Sequence, residues 1–280
     1  MSLDVLLVVL FSALLHAGWN ALVRSAADKF ASTLAVVLGA GALALPLLLV
    51  LRLPAAASWP YVLASGLIHV VYFTLVAWSY RQAELSLAYP LMRGTAPVLA
   101  AVGALLWLGE SPTPGGWLGV ALICTGVLSL AGAAWRASPA HAGALGFALA
   151  NAVVIAGYTV IDGRGARLSG HAFAYTGWAF ALTAVLLLAC ARLLRGRQVF
   201  ADIRPLWRTA ALGGSGTLAA YALVLWAMGH APIATVAALR ETSIVFAALI
   251  GALLLRERIS RARGAAIALV CAGAAAIKLF

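Results

Sequence analysis

Three ionisable residues stand where a hydrocarbon environment would make them costly. Arg93 is the only charged residue in the apolar run 85–108, and Arg240 occupies a similar depth in the run 231–254, with Glu241 directly behind it. If these runs are helices, Arg93 lies about 12 Å from the start of its helix at about 1.5 Å per residue. A guanidinium at that depth costs several kcal/mol unless it faces protein, water or an anion. Two such groups facing one cavity would bind a carboxylate, phosphonate or phosphate. The alternative is that each is locked to a buried carboxylate or a helix C-terminus and only holds the bundle together. Glu241 points roughly 100° away from Arg240 around a helix, so its natural partner is Arg93 on another helix. A carboxylate there either forms a static pair or holds an ammonium or a proton. Cationic and anionic groups together would suit a zwitterion.

Further polar and aromatic groups surround these positions in the sequence. Tyr89, Arg93 and Pro97 share one helical face, and Pro97 has no N–H for the carbonyl of Arg93, so this helix is expected to kink or open there; Pro90 adds a second irregularity. His16 and Asn20 share a face of the first run with Trp19 beside them; the histidine either relays protons or hydrogen-bonds a neighbouring helix. Tyr72, Trp78, Tyr158, Tyr221 and Trp226 either line a cavity and stack on a ligand or act in part as interfacial anchors.

The elements that must position these groups are membrane helices. The 280 residues are 64% hydrophobic and 10% charged, far from the roughly 25% charged composition of soluble domains. Such a chain cannot cover a water-facing surface, and its length suits roughly ten spans of about 20 residues. Cutting at charge clusters and Pro/Gly turns predicts an all-α integral membrane protein with helices at 3–22, 30–51, 59–80, 85–108, 114–134, 140–161, 170–194, 206–229, 231–254 and 262–279. Only the stretch around Arg195 to Arg208 has room for a small extramembrane element. Asp4 stands where a signal peptide would be basic, so the first run reads as a retained helix. Cys124, Cys190 and Cys271 lie in apolar stretches without metal-ligand or CxxC spacing and read as small core residues.

An internal repeat organises the spans. Arg93, Thr95, Leu106, Glu110 and Gly126 recur at one constant offset as Arg240, Thr242, Leu253, Glu257 and Gly273. With a one-residue gap, Phe73-Thr-Leu-Val-Ala-Trp78 matches Tyr221-Ala-Leu-Val-Leu-Trp226. The reading is two five-helix halves, 1–137 and 138–280. An odd number of spans per half inverts the second copy, as in many secondary transporters whose sites lie near the midplane. With each half closing in an apolar helix, a Glu-containing turn and a Gly/Ala-rich helix, the chain resembles the drug/metabolite transporter superfamily, EamA type. The resemblance covers essentially the whole chain. It implies a cavity lined by helices one, three, four, six, eight and nine, export of amino acids, other metabolites or drugs, and cytoplasmic termini. The positive-inside rule disagrees on the last point. Arg24, Lys29, Arg81, Arg136, the basic residues from Arg192 to Arg208 and those from Arg256 to Arg263 all follow odd-numbered helices, while only Arg52, Arg164, Arg167 and Lys278 lie on the other side, which places both termini outside the cytoplasm.

The net charge of +11 sets topology in this reading, so no nucleic-acid partner is expected. No GxxxxGK[ST], HExxH or GxSxG is present, so neither ATP use, a cofactor, a metal nor an enzymatic reaction is expected. Gly213-Gly-Ser-Gly216 reads as a helix-packing cluster. The expected partners are a small-molecule substrate and the lipid bilayer of the inner (plasma) membrane. The expected function is secondary export of small zwitterionic or anionic metabolites, possible proton coupling included, with a multidrug or organic-cation exporter and a lipid-linked substrate translocase as alternatives. Glycine-rich faces of the fifth and tenth helices, including Gly116, Gly119, Gly126, Gly264 and Gly273, serve packing either within a monomer or between two copies in a homodimer.

Overall fold

The computed structural model describes residues 1–24, 26, 28–82, 85–137, 142–254 and 259–280. Their regular structure is helical: α1 (Leu3–Arg24), α2 (Lys29–Val50), α3 (Trp59–Gln82), α4 (Leu85–Leu108), α5 (Pro114–Ala137), α6 (Ala142–Leu168), α7 (Ala172–Arg195), α8 (Gln198–Ile203), α9 (Trp207–Met228), α10 (Ile233–Arg240), α11 (Ser243–Leu254) and α12 (Arg261–Leu279). They build 10 segments long and apolar enough to cross a membrane. Leu7, Phe11, Leu45, Leu49, Leu67, Val185 and Leu193 project outward from them. Only a lipid environment makes so apolar an exterior favourable, and helices satisfy every backbone group internally there. The protein is an all-α, multi-pass membrane protein.

Two elements differ from the sequence expectation. The sixth helix does not stop at Ile161 but continues to Leu168, so Asp162, Arg164 and Arg167 are helical rather than in a loop. The turn comes instead at Gly170, whose φ of 68° suits glycine. Ser169 bonds there to Ala166 O through its hydroxyl and accepts Ala55 N–H at its carbonyl. Secondly, the ninth span is two helices, α10 and α11, and not one. The Arg195–Arg208 stretch, where the sequence has room for a small element, folds into α8 and a 3-10 turn at Arg204–Leu206. Glu257, Arg256 and Arg258, with Ala83, lie outside the described residues.

The chain forms two compact units, each drawing on both halves of the sequence. In the first (Met1–Ala13, Val71–Val160, His230–Phe280) α5 packs along α12. A Cβ on Gly119 would come within 2.7 Å of the Gly273 carbonyl oxygen, and one on Gly273 within 2.7 Å of that of Gly119. These glycines therefore bring α5 and α12 backbone to backbone inside one chain. In the second unit (Leu14–Val70, Ile161–Gly229) α2 crosses α9 and α7. Gly214 has no space for a side chain, since its Cβ would sit 2.7 Å from the Gly39 carbonyl carbon. The Gly213–Gly216 cluster is a crossing point.

Charges tie this second unit together at its polar end. Asp28 caps α2 by accepting Ala31 N–H at 2.9 Å, and Arg195 Nη1 reaches Asp28 Oδ2 at 2.8 Å and Asp202 Oδ2 at 3.2 Å. The same guanidinium sits 4.5 Å over the Phe30 ring. Partial burial acts to raise the Asp28 carboxyl, but the Arg195 hydrogen bond, the Ala31 N–H and the Arg195 charge outweigh it and hold it below its ordinary value. A lowered folded-state value means stability that is present above about pH 4 and lost as pH falls through that lowered value. Both partners are substantially exposed, so the effect stays under about 1 kcal/mol. In thermal unfolding of the detergent-purified protein, Asp28→Asn should lower the midpoint slightly at neutral pH and lose that difference in acid. Gly119→Leu should lower it much more, by the equivalent of about 1–3 kcal/mol, through overpacking against α12.

Candidate functional site

Within the first unit, α4 places Arg93 against the break between α10 and α11. Arg93 Nε donates to Glu241 Oε2 at 3.0 Å, and Nη2 meets Oε1 at 2.6 Å as a charge contact off the direction of a hydrogen bond. Both side chains are about 95% buried. The α10–α11 break is built by tight i→i−3 bonding: Glu241 N–H to Ala238 O, Thr242 N–H to Leu239 O, Ile244 N–H to Glu241 O and Val245 N–H to Thr242 O, all at 2.9–3.0 Å. Arg240, Glu241, Thr242 and Ser243 are all buried at this turn. Broken spans with charge at the break are a recurring transporter device, because the loosened backbone carries polar groups into the apolar zone. The start of α10 is fixed from outside: Pro232 at its N-cap has no side-chain acceptor, and Glu110 Oε1 accepts Ile233 N–H at 2.7 Å.

Of the two outcomes expected at Pro97, a kink or an opening, the opening does not occur: α4 runs through Pro90 and Pro97 as one helix, and the break lies opposite, in a span with no proline after Pro232. Tyr72, Tyr89 and Tyr158 all lie within electrostatic reach of Arg93, and Tyr72, Tyr89 and Glu241 within reach of Arg240. Tyr72 and Tyr158 meet edge-on with centroids 5.6 Å apart. Of the residues singled out by sequence, the structure thus gathers Arg93, Arg240, Glu241, Tyr72, Tyr89 and Tyr158. The side chain of Trp78 lies outside the described residues.

The remaining candidates belong to the second unit. His16 and Trp19 stack edge to face at 5.2 Å, and Asn20 Nδ2 donates back to His16 O at 2.7 Å, so that amide serves its own helix. Trp19 Nε1 is buried without a hydrogen-bond partner among the described residues. Tyr221 donates to Asp162 Oδ2 at 2.6 Å and meets His69 and Phe180 edge-on. Trp226 is half-buried near the end of α9.

The family model for EamA-like transporters matches residues 4–132 and again 142–279. The chain belongs to the EamA-like transporter family. No curated protein matches. A solved structure described only as a crystal structure of a protein aligns over 100% of this chain and 98% of its own, at 22% identity and a TM-score of 0.74; likeness at that identity speaks to the fold. Membership makes this a transporter acting on a small-molecule substrate from within a bilayer.

Two polar residues of this transporter were not singled out by sequence. Asn151, fully buried on α6, donates to Met92 Sδ at 3.0 Å and leaves Oδ1 without a partner among the described residues. It lies two turns before Tyr158 on α6, a spacing that signals a shared face. Asp162 stands just past the expected end of the sixth helix at Ile161. It is wholly buried, with Tyr175 donating to Oδ1 at 2.8 Å. Gly165 lets Tyr175 and Tyr61 approach the helix, since its Cβ would lie 2.6 Å from the Tyr175 hydroxyl and from Tyr61 Cβ. Arg167, near the end of the same helix, donates to Met228 O at 2.6 Å and closes the last turn of α9.

Removing one partner of the Arg93–Glu241 pair takes the direct counter-charge from the other, a loss of about 3–5 kcal/mol. Arg93→Ala and Glu241→Ala should each lower the thermal midpoint strongly. The apolar double variant Arg93→Met, Glu241→Leu should recover most of the loss. Additive losses in the double variant would show that the two charges are not coupled.

Proposed function

We propose that this protein is a secondary transporter that exports small zwitterionic or anionic, amino-acid-like metabolites across the plasma membrane by alternating access. The observation that carries the reading is the buried Arg93–Glu241 pair beside Arg240 at an interrupted span. Arg93, Arg240 and Glu241 present both signs of charge at one buried turn, so a substrate carboxylate would compete for the arginines and an α-ammonium for Glu241. Asn151 Oδ1, buried and unpartnered among the described residues, adds an acceptor on α6. The two family matches, 4–132 and 142–279, support reading the halves as inverted repeats that exchange access around the site. The mutual packing of α5 and α12 supports a monomer as the working unit, since those small faces already meet within the chain. The surplus of basic residues after odd-numbered spans supports termini outside the cytoplasm.

One arrangement favours a second reading. Tyr72, Tyr89 and Tyr158 beside a carboxylate also suit a hydrophobic organic cation held by ring faces.

Thermal unfolding of the detergent-purified protein separates the two. A ligand at 100 times its Kd stabilises by about 2.7 kcal/mol. Among amino acids, phosphonates, carboxylates and organic cations, a zwitterionic or anionic compound should raise the midpoint. Arg240→Ala should keep its fold and lose that rise. Stabilisation by hydrophobic cations alone, unaffected in Arg240→Ala, would replace the first reading with the second.

A further inference from the structure

We propose that Asp162, with Tyr175 and Tyr221, is a proton-carrying site of this transporter. The proposal rests on the transporter reading but not on the ligand class assigned to the Arg93–Glu241 site.

The argument begins with what surrounds the carboxylate. Asp162 lies on α6 within the membrane-spanning stretch Leu145–Leu168 and is completely buried. Its oxygens accept one hydroxyl each, Oδ1 from Tyr175 on α7 at 2.8 Å and Oδ2 from Tyr221 on α9 at 2.6 Å. Among the described residues no Lys, Arg or His forms an ion pair with it, in contrast to Glu241. The other titratable groups facing the cluster are Tyr61 and His69 from α3, opposite Tyr175 and Tyr221 respectively. Along α6 itself, Arg164 and Arg167 are exposed, and Arg167 is engaged with Met228 O.

Two neutral donors hold this carboxylate in either charge state. Ionised, it accepts both hydroxyls, which offset part of the cost of a buried charge. Protonated, it gains one O–H bond to a proton from the aqueous phase. It then donates to one tyrosine oxygen, a group that both donates and accepts, while the other tyrosine still donates to it. Each of the three side chains keeps a hydrogen bond through the change, while the hydroxyl hydrogen of the accepting tyrosine turns away from the carboxyl. A lysine or arginine in place of either tyrosine would have fixed the ionised form. Packing keeps the trio in register: the space at Gly165 admits the Tyr175 hydroxyl, and His69 and Phe180 flank Tyr221 edge-on with centroids 6.2 and 6.0 Å away. His69 Nδ1 is itself tied to Ser65 O at 2.8 Å. Carboxylates in spans without a cationic partner commonly mark proton or ion paths, because burying the ionised form is costly.

The test is infrared difference spectroscopy of the full-length protein in lipid, between about pH 4 and about pH 9, with and without 13C-aspartate. A protonated-carboxyl band should appear as pH falls, shift on 13C-aspartate labelling and vanish in Asp162→Asn. Tyr175→Phe and Tyr221→Phe each remove a donor to the ionised form, so the band should persist to higher pH in both. Glu241 carries no aspartate label and stays silent in the labelled difference, so a failed ligand panel leaves this result intact. A labelled band that does not change with pH, or none at all, would overturn the proposal and make Asp162 a fixed structural group. Loss of the band on adding sodium at constant pH would overturn it too, in favour of a metal-cation site. Should Asp162→Asn not fold, the labelled wild type and the two phenylalanine variants decide by the same readings.

Discussion

A guanidinium within a membrane span has no water to fall back on, and most of the first unit is arranged around supplying its counter-charge. Arg93 enters from α4 and Glu241 from a turn in another span, and the pair closes with contacts of 2.6 and 3.0 Å in near-complete burial. For the carboxylate to reach the arginine, the ninth span gives up regular helix at Glu241–Thr242 and bonds in i→i−3 steps. Such a turn is tolerable in a bilayer only where protein or an enclosed cavity surrounds it. Its burial among Arg240, Thr242 and Ser243 meets that condition.

The broken span then needs support that a continuous helix would not. A half-helix of eight residues, α10, has little stability of its own. Glu110 from the turn after α4 bonds its first N–H, so the helix that supplies Arg93 also leads into the residue that anchors the opposing segment. In the second unit comparable ties appear at helix ends: Arg167 on the Met228 carbonyl that ends α9, and Asp28 at the start of α2 bridged by Arg195. Between these ends, small residues do the packing. With no hydrophobic drive separating helix from lipid, close approach at Gly119–Gly273 and Gly39–Gly214 supplies the contact energy.

Among the described residues two carboxylates are buried, under opposite regimes. Glu241 is neutralised by a permanent cation, so changing its charge means breaking an ion pair. Asp162 is met by hydroxyls, so changing its charge means only turning O–H bonds around. The first arrangement suits recognition of a charged solute that competes for one partner. The second suits a group that gains and loses a proton without disturbing its neighbours.

The sequence by itself determined the class of molecule and most of its elements. Hydrophobic run length is a direct consequence of bilayer thickness, so the spans and the polar turns between them were legible from composition alone. Arg93, Arg240 and Glu241 were legible for the same reason, since charge in an apolar run stands out against its background. Tertiary structure decided which groups meet and where helices stop. Nothing in Ile233–Leu254 marks a break, because that break exists to deliver Glu241 to a residue far away in the chain. Pro97, the strongest local signal, leaves α4 in one piece. Asp162 lies past the expected end of its helix, and only the structure shows it buried there, with Tyr175 packed on Gly165 one turn further along. Local pattern reports the solvent each segment faces, whereas pairing across helices depends on register and approach that no single segment encodes.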